Sequence, residues 1–145
     1  MLNLTQMTRR TDKRRVGNAT YVVMRNVKTG HWKSGPDRGL AYIAAQTSST
    51  HVQDQHGQLI PNPDKNTYVT AITFVDRQLN VKASCSCPDY LFRWEWANWN
   101  RKAADIEYSN GDSPDITNPT YKPSLCKHLV ALAERIMDKL PPPRT

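Results

Sequence analysis

The chain has 145 residues, three cysteines and a formal net charge of +7 at pH 7. This length suits a single domain, and no apolar run approaches the roughly 20 residues needed to cross a bilayer. The first 20 residues are polar and basic, so we expect no secretory signal. Three cysteines cannot all pair within one chain, which argues against the disulfide framework of a small exported protein.

The net charge lies entirely in the first 40 residues, which hold nine Lys or Arg residues and two Asp residues. Five of the basic residues fall within seven positions: Arg9, Arg10, Lys13, Arg14 and Arg15. Such a run of like charges usually stays solvated until an acidic partner orders it. We therefore expect residues 1–18 to be an extended basic arm without a core of its own, which binds another protein or the phosphates of nucleic acid. A solubilising tail with no partner is the alternative.

The segment after the arm has the composition of β structure. β-branched and apolar residues predict a strand over Thr20–Val27, which ends in a turn at Thr29-Gly30. Residues 33–39 are a loop by composition, and residues 48–66 form a polar connection. The apolar stretch Leu40–Thr47 between them does not favour one type of structure.

A β-hairpin follows. Residues 67–75 are β-branched and aromatic, Asp76-Arg77 makes a tight connection, and a second strand starts at Gln78. The second strand alternates strictly, which places one set of side chains on its buried face. That set is Leu79, Val81, Ala83, Cys85 and Cys87.

Two helices are predicted beyond the hairpin. Phe92, Trp96, Trp99 and Ala103 have helical spacing, although Phe92, Trp94 and Trp96 alternate as they would in a strand. Residues 107–124 are rich in turn residues and suggest a functional or partner-ordered loop. A final amphipathic helix is capped by Ser124, carries an apolar stripe from Leu125 to Leu140, and is stopped by three prolines.

All three cysteines and one histidine lie in two short clusters, Cys85-Ser86-Cys87 and Cys126-Lys127-His128. In a chain without export signals, paired free thiols are first interpreted as metal ligands. Three thiolates and one imidazole complete a tetrahedral zinc site, and sulfur ligands select zinc over magnesium or calcium. Such a site has no open position for water or substrate, so the zinc is expected to be structural. The alternative is three ordinary buried thiols and a surface histidine.

Zinc binding constrains the backbone at both clusters. Two residues along a flat strand span roughly 6.6 Å, whereas two sulfurs on one zinc lie roughly 4 Å apart. The strand must therefore curl between Cys85 and Cys87. Residues two apart on a helix face nearly opposite ways, so Cys126 must lie at or before the first turn of the last helix, with His128 just inside it.

The order C-x-C, a long gap and C-x-H, with a hairpin before and a helix after, resembles the SWIM-type zinc finger over about residues 67–140. The resemblance implies a ββα metal module in which Cys85, Cys87, Cys126 and His128 bind one structural zinc. The longer string from Cys-Ser-Cys-Pro-Asp-Tyr to Pro-Ser-Leu-Cys-Lys-His-Leu, residues 85–129, resembles small proteins encoded by tailed bacteriophages. SWIM modules are associated with DNA binding and with protein contacts.

We therefore predict an α+β fold in which a small antiparallel hairpin or sheet is joined to a C-terminal helix by the zinc site. The predicted parts are the basic arm 1–18, a β-rich part 19–66, the zinc module 67–140 with a long insertion at 88–124, and the Pro-rich tail 141–145.

For function, we expect a non-enzymatic structural protein of a phage virion, in the tail, baseplate or neck, that contacts other virion proteins and copies of itself. No phosphate-binding Gly-rich loop, nucleophile elbow or HExxH motif is present, and His31, His51 and His56 are typical of solvated histidines. We expect no membrane and no small-molecule substrate. The alternative is a soluble DNA-binding zinc-finger protein whose basic arm contacts phosphates.

Overall fold

The computed structural model describes residues 2–63, 66–77, 80–93, 95–100, 102–104 and 125–137. The predicted loop 107–124, the predicted cap Ser124 and the Pro-rich tail 141–145 lie outside these residues. The described chain is an α+β protein with an antiparallel sheet and a C-terminal helix, as the sequence predicts. None of its helices combines the length and hydrophobicity needed to cross a membrane.

The elements follow in chain order. They are β1 (Leu2–Asn3), α1 (Leu4–Arg10), α2 (Lys13–Asn18), a 3-10 turn (Ala19–Tyr21), β2 (Val22–His31), β3 (Ala41–Ser49), β4 (His51–Gln53), β5 (Leu59–Pro61), β6 (Tyr68–Phe74), β7 (Asn80–Cys85), α3 (Pro88–Arg93), α4 (Glu95–Asn100) and α5 (Lys127–Met137).

Five strands form one antiparallel sheet in the order β1-β7-β6-β3-β2, and β4 and β5 form a separate hairpin. The predicted hairpin is β6–β7, in which Cys85 lies opposite Thr70 and Ala83 lies opposite Ile72. These four residues are buried and share the inner face of the sheet, because the side chains of successive residues alternate between faces. The hairpin therefore delivers Cys85 to the core, as predicted.

Helix α5 is covered on more than one side. It contacts strands of the sheet and also α1, α2 and the 3-10 turn. Its buried side chains accordingly extend around more of its surface than a single stripe: Leu129, Val130, Ala131, Leu132, Ala133 and Ile136. A helix that is apolar over so much of its circumference needs neighbours on several sides.

Two predictions for residues 19–66 are wrong in detail. The first strand does not turn at Thr29-Gly30 but runs to His31, and a bulge between Arg25 and Lys28 interrupts its register. Asn26 in this bulge has φ of 53°, a backbone conformation that asparagine tolerates better than most residues. The predicted connection 48–66 contains the β4–β5 hairpin.

The prediction of an extended arm without a core is wrong for the first 18 residues. Asn3 caps α1 in a reciprocal capping box with Gln6. Leu4 and Met7, one turn apart on α1, are 2% and 0% exposed and belong to the main core. The charges do not prevent folding, because the apolar side chains of α1 face the core while Arg9 and Arg10 stay exposed.

Replacing Met7 with alanine tests this docking. We expect Met7→Ala to lower the free energy of unfolding by about 2–5 kcal/mol, because it leaves a cavity in the core. Chemical denaturation of the zinc-loaded protein measures the effect. Thr5→Ala, at an exposed position of the same helix, is the matched control. Equal stability of the two variants would contradict the docking.

Candidate metal centre

The structure brings the two ligand pairs together. One donor atom each from Cys85, Cys87, Cys126 and His128 lies within 4.8 Å of the other three. All four residues are buried, with exposed fractions between 0% and 3%. His31, His51 and His56 do not belong to this cluster.

The first pair is positioned by the end of the hairpin. Strand β7 ends at Cys85 and α3 begins at Pro88, so the chain leaves the sheet between the two cysteines. The backbone N–H of Tyr90 donates to Cys87 Sγ over 3.4 Å, and the Tyr90 hydroxyl donates to the carbonyl of Ala83 over 2.9 Å. Tyr90 thus connects the start of α3 back to β7 and stabilises the curl that the zinc geometry requires.

The second pair is positioned by the start of α5. Cys126 directly precedes the helix, and its carbonyl accepts the first helical hydrogen bond from Val130 N–H, at 3.0 Å. His128 lies in the first turn, with Nδ1 4.0 Å from Cys126 Sγ. Its other ring nitrogen, Nε2, is 3.3 Å from Ser49 Oγ. Nδ1 therefore faces the thiols, and Ser49 holds the ring from behind, as second partners of metal-binding histidines usually do.

The donor set fits zinc. Two sulfurs that share a zinc at about 2.3 Å are roughly 4 Å apart, so the observed cluster needs little contraction to bind the ion. Three thiolates and one imidazole fill the four positions of a tetrahedral zinc and leave none for a substrate. When bound, the ion supplies a cross-link between the end of the hairpin and α5.

The surroundings shift the pKa values of the three thiols in different directions. Burial, followed by the neighbouring thiols of Cys85 and Cys87, raises the pKa of Cys126 well above its usual value. Burial also disfavours the thiolate of Cys85, but hydrogen bonds from Cys126, Cys87 and Thr70 more than offset it and leave the Cys85 pKa lowered. The pKa of Cys87 is raised, because the effects of Cys85 and of burial exceed the lowering by the hydrogen bond from Cys126. The neighbouring sulfurs therefore favour the thiolate of Cys85 over those of Cys87 and Cys126.

An ion pair ties the N-terminal helices to the metal centre. Arg15 Nε and Nη2 donate to the two carboxylate oxygens of Asp89 at 2.7 and 2.6 Å, and Arg15 Nη1 donates to Asp12 at 2.6 Å. The hydrogen bond to Asp89 is the main reason that the pKa of Arg15 is raised. We call the two hydrogen bonds from Arg15 to Asp89 the Arg15 fork. Asp89 lies two residues after Cys87, so the Arg15 fork holds α2 against the zinc-binding turn.

The structure separates Arg15 from the rest of the predicted partner-binding set. Arg15 is occupied within the chain, because its guanidinium is paired with two carboxylates. Arg9, Arg10, Lys13 and Arg14 are exposed on α1 and α2.

Two residues beside the ligands escaped the sequence reasoning. Thr70 lies opposite Cys85 in the sheet, with its hydroxyl 3.5 Å from the Cys85 sulfur. The alternation of the strand over 67–75 would have placed Thr70 on the inner face. Ser49 has no such signal, since its contact with His128 joins residues 79 apart in the sequence.

Loss of one ligand should unfold the centre. We expect Cys126→Ser to cost more than about 4 kcal/mol, as loss of a structural metal does. His56→Ala, which removes an exposed histidine in the β4–β5 turn, should stay within about 0.5 kcal/mol of the parent. Thermal unfolding beside elemental analysis for zinc measures both. Similar thermal unfolding midpoints for the two variants would contradict the zinc cross-link. So would a zinc content well below one ion per chain in the parent protein.

Zinc binding should release protons. The thiols of Cys87 and Cys126 have raised pKa values and must ionise to bind the ion, so protons should leave when zinc binds at pH 7. The affinity for zinc should therefore rise with pH and fall as the pH is lowered below neutrality. Calorimetric titration of the metal-free protein in buffers of different ionisation enthalpy measures this proton release. A binding enthalpy independent of the buffer would contradict it.

The Arg15 fork makes a third prediction. Arg15→Lys keeps the charge but loses the two-pronged geometry, and we expect a loss of about 1–2 kcal/mol in unfolding free energy. Arg14→Lys, the same change at an exposed neighbour, should be neutral within about 0.5 kcal/mol. Urea denaturation of both zinc-loaded variants provides the comparison. An Arg15→Lys protein as stable as the parent would show that the fork does not hold α2.

Comparison with known proteins agrees with this geometry. The family model of the SWIM zinc finger matches residues 68–95 and 120–137, the segments that contain all four ligands. No curated protein and no solved structure shows significant similarity to the chain. The matched segments supply the hairpin β6–β7 and the helices α3 and α5. The chain therefore carries a SWIM-type zinc finger, with a zinc site formed by Cys85, Cys87, Cys126 and His128.

Proposed function

We propose that the chain is a non-enzymatic component of a tailed-bacteriophage virion, in the tail, baseplate or neck, whose zinc finger supports a surface for neighbouring subunits. The SWIM zinc finger itself makes the chain a zinc-binding interaction module for protein or nucleic acid. The virion role rests further on the resemblance of residues 85–129 to small phage proteins. Its partners are then other virion proteins and copies of the chain, without a small-molecule substrate.

The observation that carries the proposal is a fixed basic surface beside the zinc finger. Arg9, Arg10, Lys13 and Arg14 are exposed on two helices that pack against α5. Within the described ranges, none of these four side chains forms an ion pair. Because the helices are held by buried side chains and by the Arg15 fork, the charges are presented in a set arrangement. Such an arrangement favours recognition of an acidic partner.

The non-enzymatic part of the proposal rests on coordination. The four protein ligands complete the tetrahedron of a structural zinc, whereas a catalytic zinc keeps a position for water or substrate. The cluster is also buried, with no ligand more than 3% exposed. The zinc then acts on function through the shape that it stabilises.

Mass spectrometry of purified particles tests the virion role. For the phage that encodes this sequence, we expect peptides of the chain in gradient-purified virions at a fixed ratio to a known structural protein. A variant in which Arg9, Arg10, Lys13 and Arg14 are changed to Gln should be depleted from the particles. The matched control changes four other exposed cations to Gln: Arg25, Lys28, Lys33 and Arg38. Absence of the parent chain from the particles, or equal incorporation of both variants, would contradict the proposal.

DNA binding is the second candidate, because the same exposed cations could contact phosphates. In that case the parent protein binds duplex DNA in fluorescence anisotropy, and its affinity decreases as salt is added. The slope of log affinity against log salt concentration should become shallower by about 0.9 for each phosphate contact that is removed. DNA binding that is lost when Arg9, Arg10, Lys13 and Arg14 are changed to Gln, and that is kept in the control variant, would support this candidate. If particle incorporation is unchanged in the same variant, DNA binding replaces the virion contact as the role of this surface.

A further inference from the structure

A polar cleft lies beside the metal centre. It has a volume of about 470 Å³ and lies between α2, the β4–β5 hairpin, the start of α3 and the start of α5. Its walls include the cations Arg14 and Lys127, the amides Asn18 and Gln53, and the zinc ligand His128. Cys87 and Cys126 line it as well, so the metal centre forms one wall, and the cleft shares Arg14 with the basic surface described above.

We propose that this cleft binds an acidic side chain of an extended peptide segment from a protein partner. The carboxylate pairs with Lys127 and Arg14, and Gln53 accepts a hydrogen bond from the backbone N–H of the peptide. The inference deepens the proposed function, since it rests on the chain being an interaction module and names the partner chemistry at one place on it.

Two cations of the cleft, Lys127 and Arg14, form no ion pair within the described residues. Lys127 is partly buried, and among the described residues its side chain makes no hydrogen bond or ion pair. Arg14 at the rim is exposed and equally without an ion pair in the same residues. The other cation of the cleft, Arg15, is already paired with Asp89 and Asp12. A half-buried ammonium has lost part of its hydration, so a carboxylate that enters the cleft gains more than it would at an exposed lysine.

The cleft also contains a buried hydrogen-bond acceptor, the side-chain oxygen of Gln53. Gln53 Oε1 is buried and has no hydrogen-bond partner among the described residues. A buried acceptor left in this state costs free energy, and the terminal amide torsion of glutamine is soft. Because Gln53 lines the cleft, a donor that enters the cleft can reach its amide. A peptide offers one N–H donor per residue.

The same features disfavour nucleic acid in this cleft. A phosphodiester backbone has no N–H donor, so it would leave Gln53 without a partner. The walls also carry the carboxylate of Asp89 and the sulfur of Cys87, which repel a chain of closely spaced phosphates more than they repel a single carboxylate. Among the lining side chains that the structure describes, the aromatic rings are those of Tyr68 and the zinc ligand His128, and their centroids lie 5.2 Å apart, so each ring already packs against the other.

The experiment is a heteronuclear NMR titration of the zinc-loaded, nitrogen-15-labelled full chain. The probes are the capped peptides acetyl-Ala-Glu-Ala-amide and acetyl-Ala-Gln-Ala-amide, and a short oligothymidine. We expect the Glu peptide to shift the resonances of Lys127 and Gln53, and to bind about tenfold more tightly than the Gln peptide. Lys127→Gln should abolish this preference. Lys28→Gln, an equal change at an exposed position of β2, should leave it intact.

Gln53→Met separates binding from folding. It removes an acceptor that has no hydrogen-bond partner among the described residues, so stability should be unchanged or higher, while both peptides should bind more weakly. Zinc content is measured for every variant, and Arg14→Gln at the exposed rim repeats the charge test if Lys127→Gln loses zinc.

Three results would overturn the proposal. Equal affinity for the Glu and Gln peptides would exclude carboxylate recognition. A Gln53→Met protein that binds as the parent does would exclude the backbone contact. The cleft would be assigned to nucleic acid if oligothymidine binds it with higher affinity than the Glu peptide does, and if this binding is lost in Lys127→Gln. None of these results depends on particle incorporation, so they leave the virion role to its own test.

Discussion

The structure depends on the convergence of four buried metal ligands at the junction between a β-hairpin and a helix. Burying three thiols and an imidazole without a metal gives little stability, because polar groups lose their hydration when they are buried. A zinc ion turns the same cluster into a cross-link whose binding free energy, on the order of 10 kcal/mol, is also folding free energy. For a chain of 145 residues with 38% hydrophobic residues, this is comparable to the whole stability of an ordinary domain.

The rest of the fold is arranged around that cross-link. The hairpin brings two ligands and α5 brings the other two, while the sheet packs against one side of α5 and the N-terminal helices against another. The Arg15 fork then reaches Asp89, next to the zinc-binding turn. The basic helices are consequently part of the same cooperative structure as the metal centre. Zinc binding is therefore coupled through packing to the placement of these helices.

The features that sequence reasoning found are local ones. The strict alternation over Leu79–Cys87 and the two ligand pairs each lie within a few neighbouring residues, and the geometry of zinc then required the curl after Cys85 and the position of Cys126 before α5. The structure shows both. The spacing of Phe92, Trp96, Trp99 and Ala103 also predicted helix here, but the structure has two short helices, α3 and α4, and Ala103 lies beyond the end of α4.

The features that it missed have two causes. The charge run at Arg9–Arg15 outweighed weaker signals nearby, although Asn3 and Gln6 have the spacing of a capping box and Leu4 and Met7 share one helix face. The other omissions are contacts between distant parts of the sequence. Arg15 and Asp89 are 74 residues apart, and the cleft is assembled from segments that extend from α2 to α5. No local pattern reports such contacts.

The central claim is that Cys85, Cys87, Cys126 and His128 hold one zinc. X-ray absorption at the zinc edge of the purified, zinc-loaded protein tests this most directly, because it counts the ligand atoms and measures their distances. The account predicts three sulfurs at about 2.3 Å and one imidazole nitrogen at about 2.0–2.1 Å. A first shell of oxygen and nitrogen alone, or one with fewer than three sulfurs, would contradict it.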